Sequence, residues 1–170
     1  MKAEELRSLQ TPLKERYREA PGAALITLRA QGRLSEGVIC KIETGKALVV
    51  AGLHPATGGS GQSACSGDML LEALVACAGV TLSAVATALS IELRDASLQA
   101  EGDLDFRGTL GVSKEAPVGF QNIRLQITLD TDASDEQLAT LLRLTERYCV
   151  VYQTLTHPPV LAIARKPVIT

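Results

Sequence analysis

Glu72-Ala73-Leu74-Val75-Ala76-Cys77-Ala78-Gly79-Val80-Thr81-Leu82 opens a run that carries no charge from Ala73 as far as Ile91. A run of that length raises the question of a membrane span. Its members are mostly Ala, Ser, Thr and Gly rather than Leu, Ile and Phe, and no basic cluster marks either flank, so it reads instead as a buried central helix. Ser66 is placed as its N-cap, Asp68 in its first turn, and its end near Leu89. Gly79, Ser83 and Thr87 recur at four-residue spacing, a stripe of small side chains that allows another helix to approach closely, within the chain or across a dimer. Everything else in the chain must be able to cover such a helix.

Working outward, three strand signals precede it: Ala24 to Ala30, Gly37 to Glu43 and Ala47 to Leu53, punctuated by Gly32 and by Thr44-Gly45-Lys46. Their short turns imply an antiparallel meander. Gly58 to Asp68 reads as a flexible loop. Ahead of the meander, Thr11 as N-cap, Pro12 at the first helical position and Pro21-Gly22 as a stop mark a short helix. After the central helix, Ile91 to Leu93, Ala96 to Phe106 and the alternating Ile123-Arg124-Leu125-Gln126-Ile127-Thr128-Leu129 suggest a second strand set, with Gly111 to Gly119 as connection. Ser134 then opens a helix with Asp135 and Glu136 in its first turn and Leu138, Leu141, Leu142, Thr145 and Cys149 on one face. Val160 to Ala164, following His157-Pro158-Pro159, reads as a closing edge strand.

The chain has 170 residues, 46% of them hydrophobic, 3% aromatic and none of them Trp, so the core is built from Leu, Val, Ile and Ala. That length fits residues 1–22 as an arm with a short helix and residues 23–170 as a single domain. A formal net charge of -2, with basic residues spread along the chain, gives no footprint for nucleic acid. The mixed-charge start Met1-Lys2-Ala3-Glu4-Glu5-Leu6-Arg7 has no apolar signal region, which points to the cytoplasm, where the four cysteines stay reduced. No membrane partner is expected either.

Two of those cysteines sit inside separate apolar helical stretches, Cys77 and Cys149. A thiol among small apolar side chains is either inert filling or the working atom of a redox enzyme. Cys40, in an alternating strand, reads as buried and inert, while Cys65 is either a reactive loop thiol or a packed one. His54 and His157, each beside Pro, read as turn residues. Neither a zinc finger spacing nor a phosphate-binding loop is present, so no metal or cofactor is expected. Cys77 lies about three turns into its helix, beyond the reach of the N-terminal dipole, so a thiolate there requires an external cation.

The order of meander, Gly-Gly loop, Ala-rich helix with Leu70-Leu71-Glu72-Ala73-Leu74-Val75-Ala76-Cys77, alternating strand pair and helix ending in Cys149-Val150-Val151 resembles the OsmC/Ohr family of thiol-dependent peroxidases over about Ala24 to Ala164. The resemblance implies an α+β fold, with antiparallel sheets wrapped around two central helices in an intertwined homodimer. It implies Cys77 as the peroxidatic thiol, Cys149 as the resolving one, an organic hydroperoxide as substrate and a dithiol as reductant. The family's Arg and Glu clamp on the thiolate maps onto Arg33 and, with a shorter acidic side chain, Asp68. The chain departs from the family in having Leu53-His54-Pro55 before the Gly-Gly loop, Ser66-Gly67-Asp68 at the helix start and Val150 where Pro is common. The alternative is a non-catalytic small-molecule binding or stress-response module on the same fold.

Overall fold

The computed structural model describes residues 2–5, 8, 10–11, 19, 31–35, 39–43, 48–111 and 113–166; side chains between 31 and 47 are not part of that description. Among the described residues three strands come first: β1 (Gln31–Ser35), β2 (Ile39–Glu43) and β3 (Leu48–Gly52). They pair antiparallel, with Arg33 opposite Lys41 and Cys40 opposite both Leu34 and Ala51; β2 and β3 are the expected second and third strands of the meander, whereas β1 is a strand not marked in the sequence. The proposed strand over 24–30 lies outside the described residues. Gly32, expected as punctuation, is instead inside β1 opposite Ile42, because its backbone N–H and C=O can serve a ladder like those of any residue other than proline. Residues 3–5, 8, 10, 11 and 19 are helical, so Thr11 lies within helical chain and is not an N-cap; residues 12–18 and 20–22 lie outside the described residues.

Gly58 to Asp68 is more ordered than a flexible loop. A 3₁₀ turn over Pro55–Thr57 is capped by His54, whose Nδ1 accepts the Ala56 N–H at 3.0 Å. The Thr57 and Gly59 N–H groups both donate to the His54 carbonyl. Gly59 has to be glycine, since a Cβ there would stand 1.7 Å from the Leu53 carbonyl oxygen. The chain then adds β4 (Ala64–Cys65), parallel to β3, and enters α1 (Ser66–Leu89) directly. The N-cap is therefore Cys65 and not Ser66, and no side chain caps the helix there, because pairing with β3 holds Cys65 extended.

α1 contributes Leu74, Ala78, Leu82, Val85 and Ala86 to the core. Its C-terminus closes on Ser90 in the left-handed region, with the Ile91 N–H donating to the Ala86 carbonyl at 2.9 Å. Ile91 is buried as part of that closure, so the strand expected over Ile91 to Leu93 does not form. β5 (Asp95–Asp103) and β6 (Asn122–Asp130) make a second, antiparallel two-stranded sheet whose alternating burial along β6 is that of one wet and one packed face. β5 stops three residues short of Phe106, because Asp105 turns to cap α2 (Phe106–Thr109), its carboxylate accepting the Arg107 N–H at 3.0 Å.

Ser134 opens α3 (Asp135–Tyr148) through a reciprocal capping box with Gln137. The Ser134 Oγ accepts the Gln137 N–H at 3.3 Å, and the Gln137 Oε1 accepts the Ser134 N–H at 2.9 Å. One further helix, α4 (Val150–Thr156), begins immediately after Cys149 and was not marked in the sequence. The core has two parts. Leu82, Val85, Ala86 and Ile91 of the α1 end pack on Leu141 of α3, while Leu74 and Ala78 pack on Cys149. The second sheet covers both from one side through Leu98, Ile123, Leu125 and Ile127. Val160 to Ala164 forms no strand: Val160, Leu161 and Ile163 are almost fully exposed, and a strand needs a sheet edge that this segment does not meet among the described residues.

Candidate active site

Cys77 and Cys149 lie 72 positions apart in sequence (149 − 77) and the fold packs them into one cluster. α1 presents Cys77 on the same flank as Leu74 and Ala78, while α3 delivers Cys149 at its C-terminal end. Cys149 is 1% exposed and Cys77 half-buried, and both are free thiols. The backbone at Cys149 leaves the helix (φ −73°, ψ 108°), so this one residue terminates α3 and starts α4. Its sulfur accepts the Tyr152 N–H at 3.5 Å and thereby serves as N-cap of α4.

That break decides the electrostatics. Burial pushes the Cys77 thiol up, but the Val151 N–H, the Cys149 S–H and the Val150 N–H favour its charged form, and the balance lies below the ordinary thiol value. Thr81 gives its hydroxyl proton to the Cys77 carbonyl at 2.7 Å. Burial likewise pushes Cys149 up, and the neighbouring Cys77 sulfur adds to that, so its thiol stays above the usual range despite the Tyr152 and Val151 N–H groups. The pair thus divides into one thiol inclined to ionise and one inclined to keep its proton. Sequence reasoning required a side-chain cation for this; among the described residues the donors are the Val150 and Val151 N–H groups of a helix start together with the Cys149 S–H. Such groups have no residue-type signature, and the nearest signal was the departure from Pro at Val150, which leaves that N–H available.

The other proposed residues stand elsewhere. Asp68 is nine residues before Cys77 on α1, about 13 Å along the axis, and it lines an exposed hollow at the start of that helix. It cannot clamp Cys77 within one protomer. Arg33 has its backbone in β1 opposite Lys41, in a strand and not in a turn, and its side chain lies outside the described residues. Cys65, twelve residues before Cys77 and about 18 Å away along α1, is far beyond disulfide reach. It shares a cavity of about 250 Å³ with His54, Asp68, Phe106 and Phe120. His54 is the turn residue it was read as, and its ring stacks on Phe106 at 4.8 Å. Among the described residues no three His, Cys, Asp or Glu side chains converge to hold a metal ion.

A long apolar helix packed on a sheet that has two strands among the described residues, with two free thiols of opposite tendency in one packed cluster between helices, defines a small α+β protein with a dithiol centre. The model of the OsmC-like protein family matches residues 59–164, more than half of the chain, and the chain belongs to that family. Solved structures agree in fold. An OsmC-like protein from Mycoplasma pneumoniae superposes with a TM-score of 0.66 at 15% identity over 78% of this chain and 89% of its own. An organic hydroperoxide resistance protein from Legionella pneumophila gives 0.61 at 18% identity, over 79% and 92%. One from Bacillus subtilis gives 0.51 at 21%, over 79% and 93%. Among curated proteins none matches the chain.

Proposed function

We propose that this protein is a cysteine-based peroxidase for organic, lipid-like hydroperoxides, serving oxidative or osmotic stress defence. The observation that carries the reading is the thiol pair itself, packed in one cluster between the helices, with nearby N–H groups and the Cys149 S–H favouring the charged form of Cys77. The Cys77 thiolate attacks the distal oxygen of ROOH; the O–O bond breaks, ROH leaves with a proton, and Cys77 becomes a sulfenic acid. Cys149 then attacks that sulfur, water leaves, and a Cys77–Cys149 disulfide remains. A dithiol, of the kind held reduced in the cytoplasm, returns the pair to its starting state. Two structural relatives named organic hydroperoxide resistance proteins support the substrate class.

We also propose the homodimer. The uncharged face of α1 leaves Val80 73% exposed, and Leu161 and Ile163 of the tail are 87% and 104% exposed, surface that a second copy would cover. Arg33 is our choice for a cation assisting the thiolate: Arg33→Ala should slow alkylation of Cys77 at neutral pH, and equal rates would leave the α4 N–H groups and the Cys149 S–H as the activation.

The deciding experiment adds one equivalent of an organic hydroperoxide to reduced protein and maps peptides by mass spectrometry. A Cys77–Cys149 disulfide is expected. Cys77→Ser should abolish turnover, and Cys149→Ser should react once and stall as a sulfenic acid that dimedone traps. Four free thiols after excess hydroperoxide would end the peroxidase reading and leave a binding module.

A further inference from the structure

Away from the thiol pair, a second cluster of chemically able side chains lines the cavity of about 250 Å³ at the start of α1: His54, Cys65 and Asp68, with the rings of Phe106 and Phe120. Its walls are fixed by packing. The His54 ring stacks on Phe106 with centroids 4.8 Å apart and planes 15° from parallel. Phe120 lies against bare backbone, since a Cβ on Gly102 would stand 2.5 Å from its Cδ1 and Cε1. Gly67 leaves space between these walls. A Cβ there would reach 3.4 Å from the Phe120 Cζ and 3.6 Å from both the Cys65 Sγ and the Leu104 Cδ1, ordinary contacts that a methyl group would make without displacing a neighbour. Cys65 and His54 are both half-buried, so the cavity is open to solvent at the thiol.

We propose that this cavity is a second site, which binds planar, uncharged α,β-unsaturated carbonyl compounds and adds them to Cys65. Three features select that class. Aromatic walls favour a flat π-system, and a volume well above the roughly 150 Å³ that accommodates benzene admits a ring with a short substituent. The His54 Nδ1 accepts the Ala56 N–H, so the neutral ring carries its proton on Nε2 and can offer it to a carbonyl oxygen. Asp68, the one carboxylate among the described residues of the lining, repels anions. In the addition, Cys65 loses its thiol proton to water and its sulfur bonds to the β-carbon. The C=C pair moves into an enolate whose oxygen accepts the Nε2–H, and water returns a proton to the α-carbon. The sum is S–H added across C=C, with no oxidant or reductant. Cys77, about 18 Å further along α1, takes no part.

The test uses the reduced full-length protein without peroxide, so its outcome is independent of the peroxidase reading. Cinnamaldehyde and crotonaldehyde, the same enal with a phenyl and with a methyl end, are added separately. Adducts are fixed with borohydride, the rate at Cys65 is read by peptide mapping, and glutathione gives the intrinsic ratio of the two reagents. We expect the preference for cinnamaldehyde at Cys65 to exceed that of glutathione by about tenfold. Gly67→Ala fills the space beside the sulfur, and His54→Asn keeps a side-chain acceptor for the Ala56 N–H while removing the ring. Each should return the ratio to that of glutathione. A Cys65 ratio equal to that of glutathione in the unaltered protein would overturn the proposal, as would an excess that survives Gly67→Ala; an excess that survives His54→Asn would overturn the role of His54.

Discussion

Cys149 is both the C-cap of one helix and the N-cap of the next, and its neighbour Val150 illustrates what that costs and permits. Val150 occupies the first position of α4 with its side chain 69% exposed, and the residue before it is extended, a backbone that proline accepts on its N-terminal side. Val150→Pro should therefore fold normally while deleting one of the two main-chain donors to Cys77. A lowered thiol value means more thiolate at a given pH, so the alkylation rate of Cys77 should reach half its maximum below the ~8.5 of a free cysteine. In Val150→Pro that midpoint should move upward, by less than about one pH unit, since a lost hydrogen bond is worth roughly 1 kcal/mol. An unchanged midpoint by pH-dependent iodoacetamide labelling would show that the Val151 N–H and Cys149 suffice. The two cysteines were legible in the sequence only through the family resemblance; their apolar surroundings alone fit inert packing equally well. The activating groups were not legible, because a backbone N–H belongs to every residue except proline and only the chain's path aims it.

At the scale of elements, α3 was the easiest to read and should be the easiest to weaken. Its box of Ser134 and Gln137 is written in residue types, and its apolar stripe places Leu141 at 0% exposure against Leu82. Leu141→Ala should cost about 2–5 kcal/mol by opening a cavity, whereas Ser134→Ala should cost about 1 kcal/mol, both measured by urea denaturation. A smaller penalty at Leu141 than at Ser134 would contradict the packing described here. α1 and the β5–β6 alternation were equally plain, as periodicity is set by which face is wet. α4 was missed for a physical reason: Tyr148-Cys149-Val150-Val151 holds no Gly or Pro, so nothing in it signals that the chain turns. The supposed strand over Val160 to Ala164 failed for the opposite reason, since its β-prone residues state a preference and a strand also needs an edge to pair with.

For the whole molecule the open question is what covers the uncharged side of α1. By length and composition this helix could cross a membrane, and only 28% of its most apolar 18 residues is buried within the protomer. Sedimentation at micromolar concentration should return a dimer, and a chain ending at His157 should shift toward monomer, because the exposed Val160, Leu161 and Ile163 are then gone. A full-length monomer with intact circular dichroism would set the dimer aside. If each copy completes the other's core, the final stage of folding is a meeting of two chains and not an event within one. Refolding would then quicken with protein concentration, the melting temperature would rise with it, and dilution alone would unfold the protein. The amount of protein a cell makes would thus enter the stability of every copy.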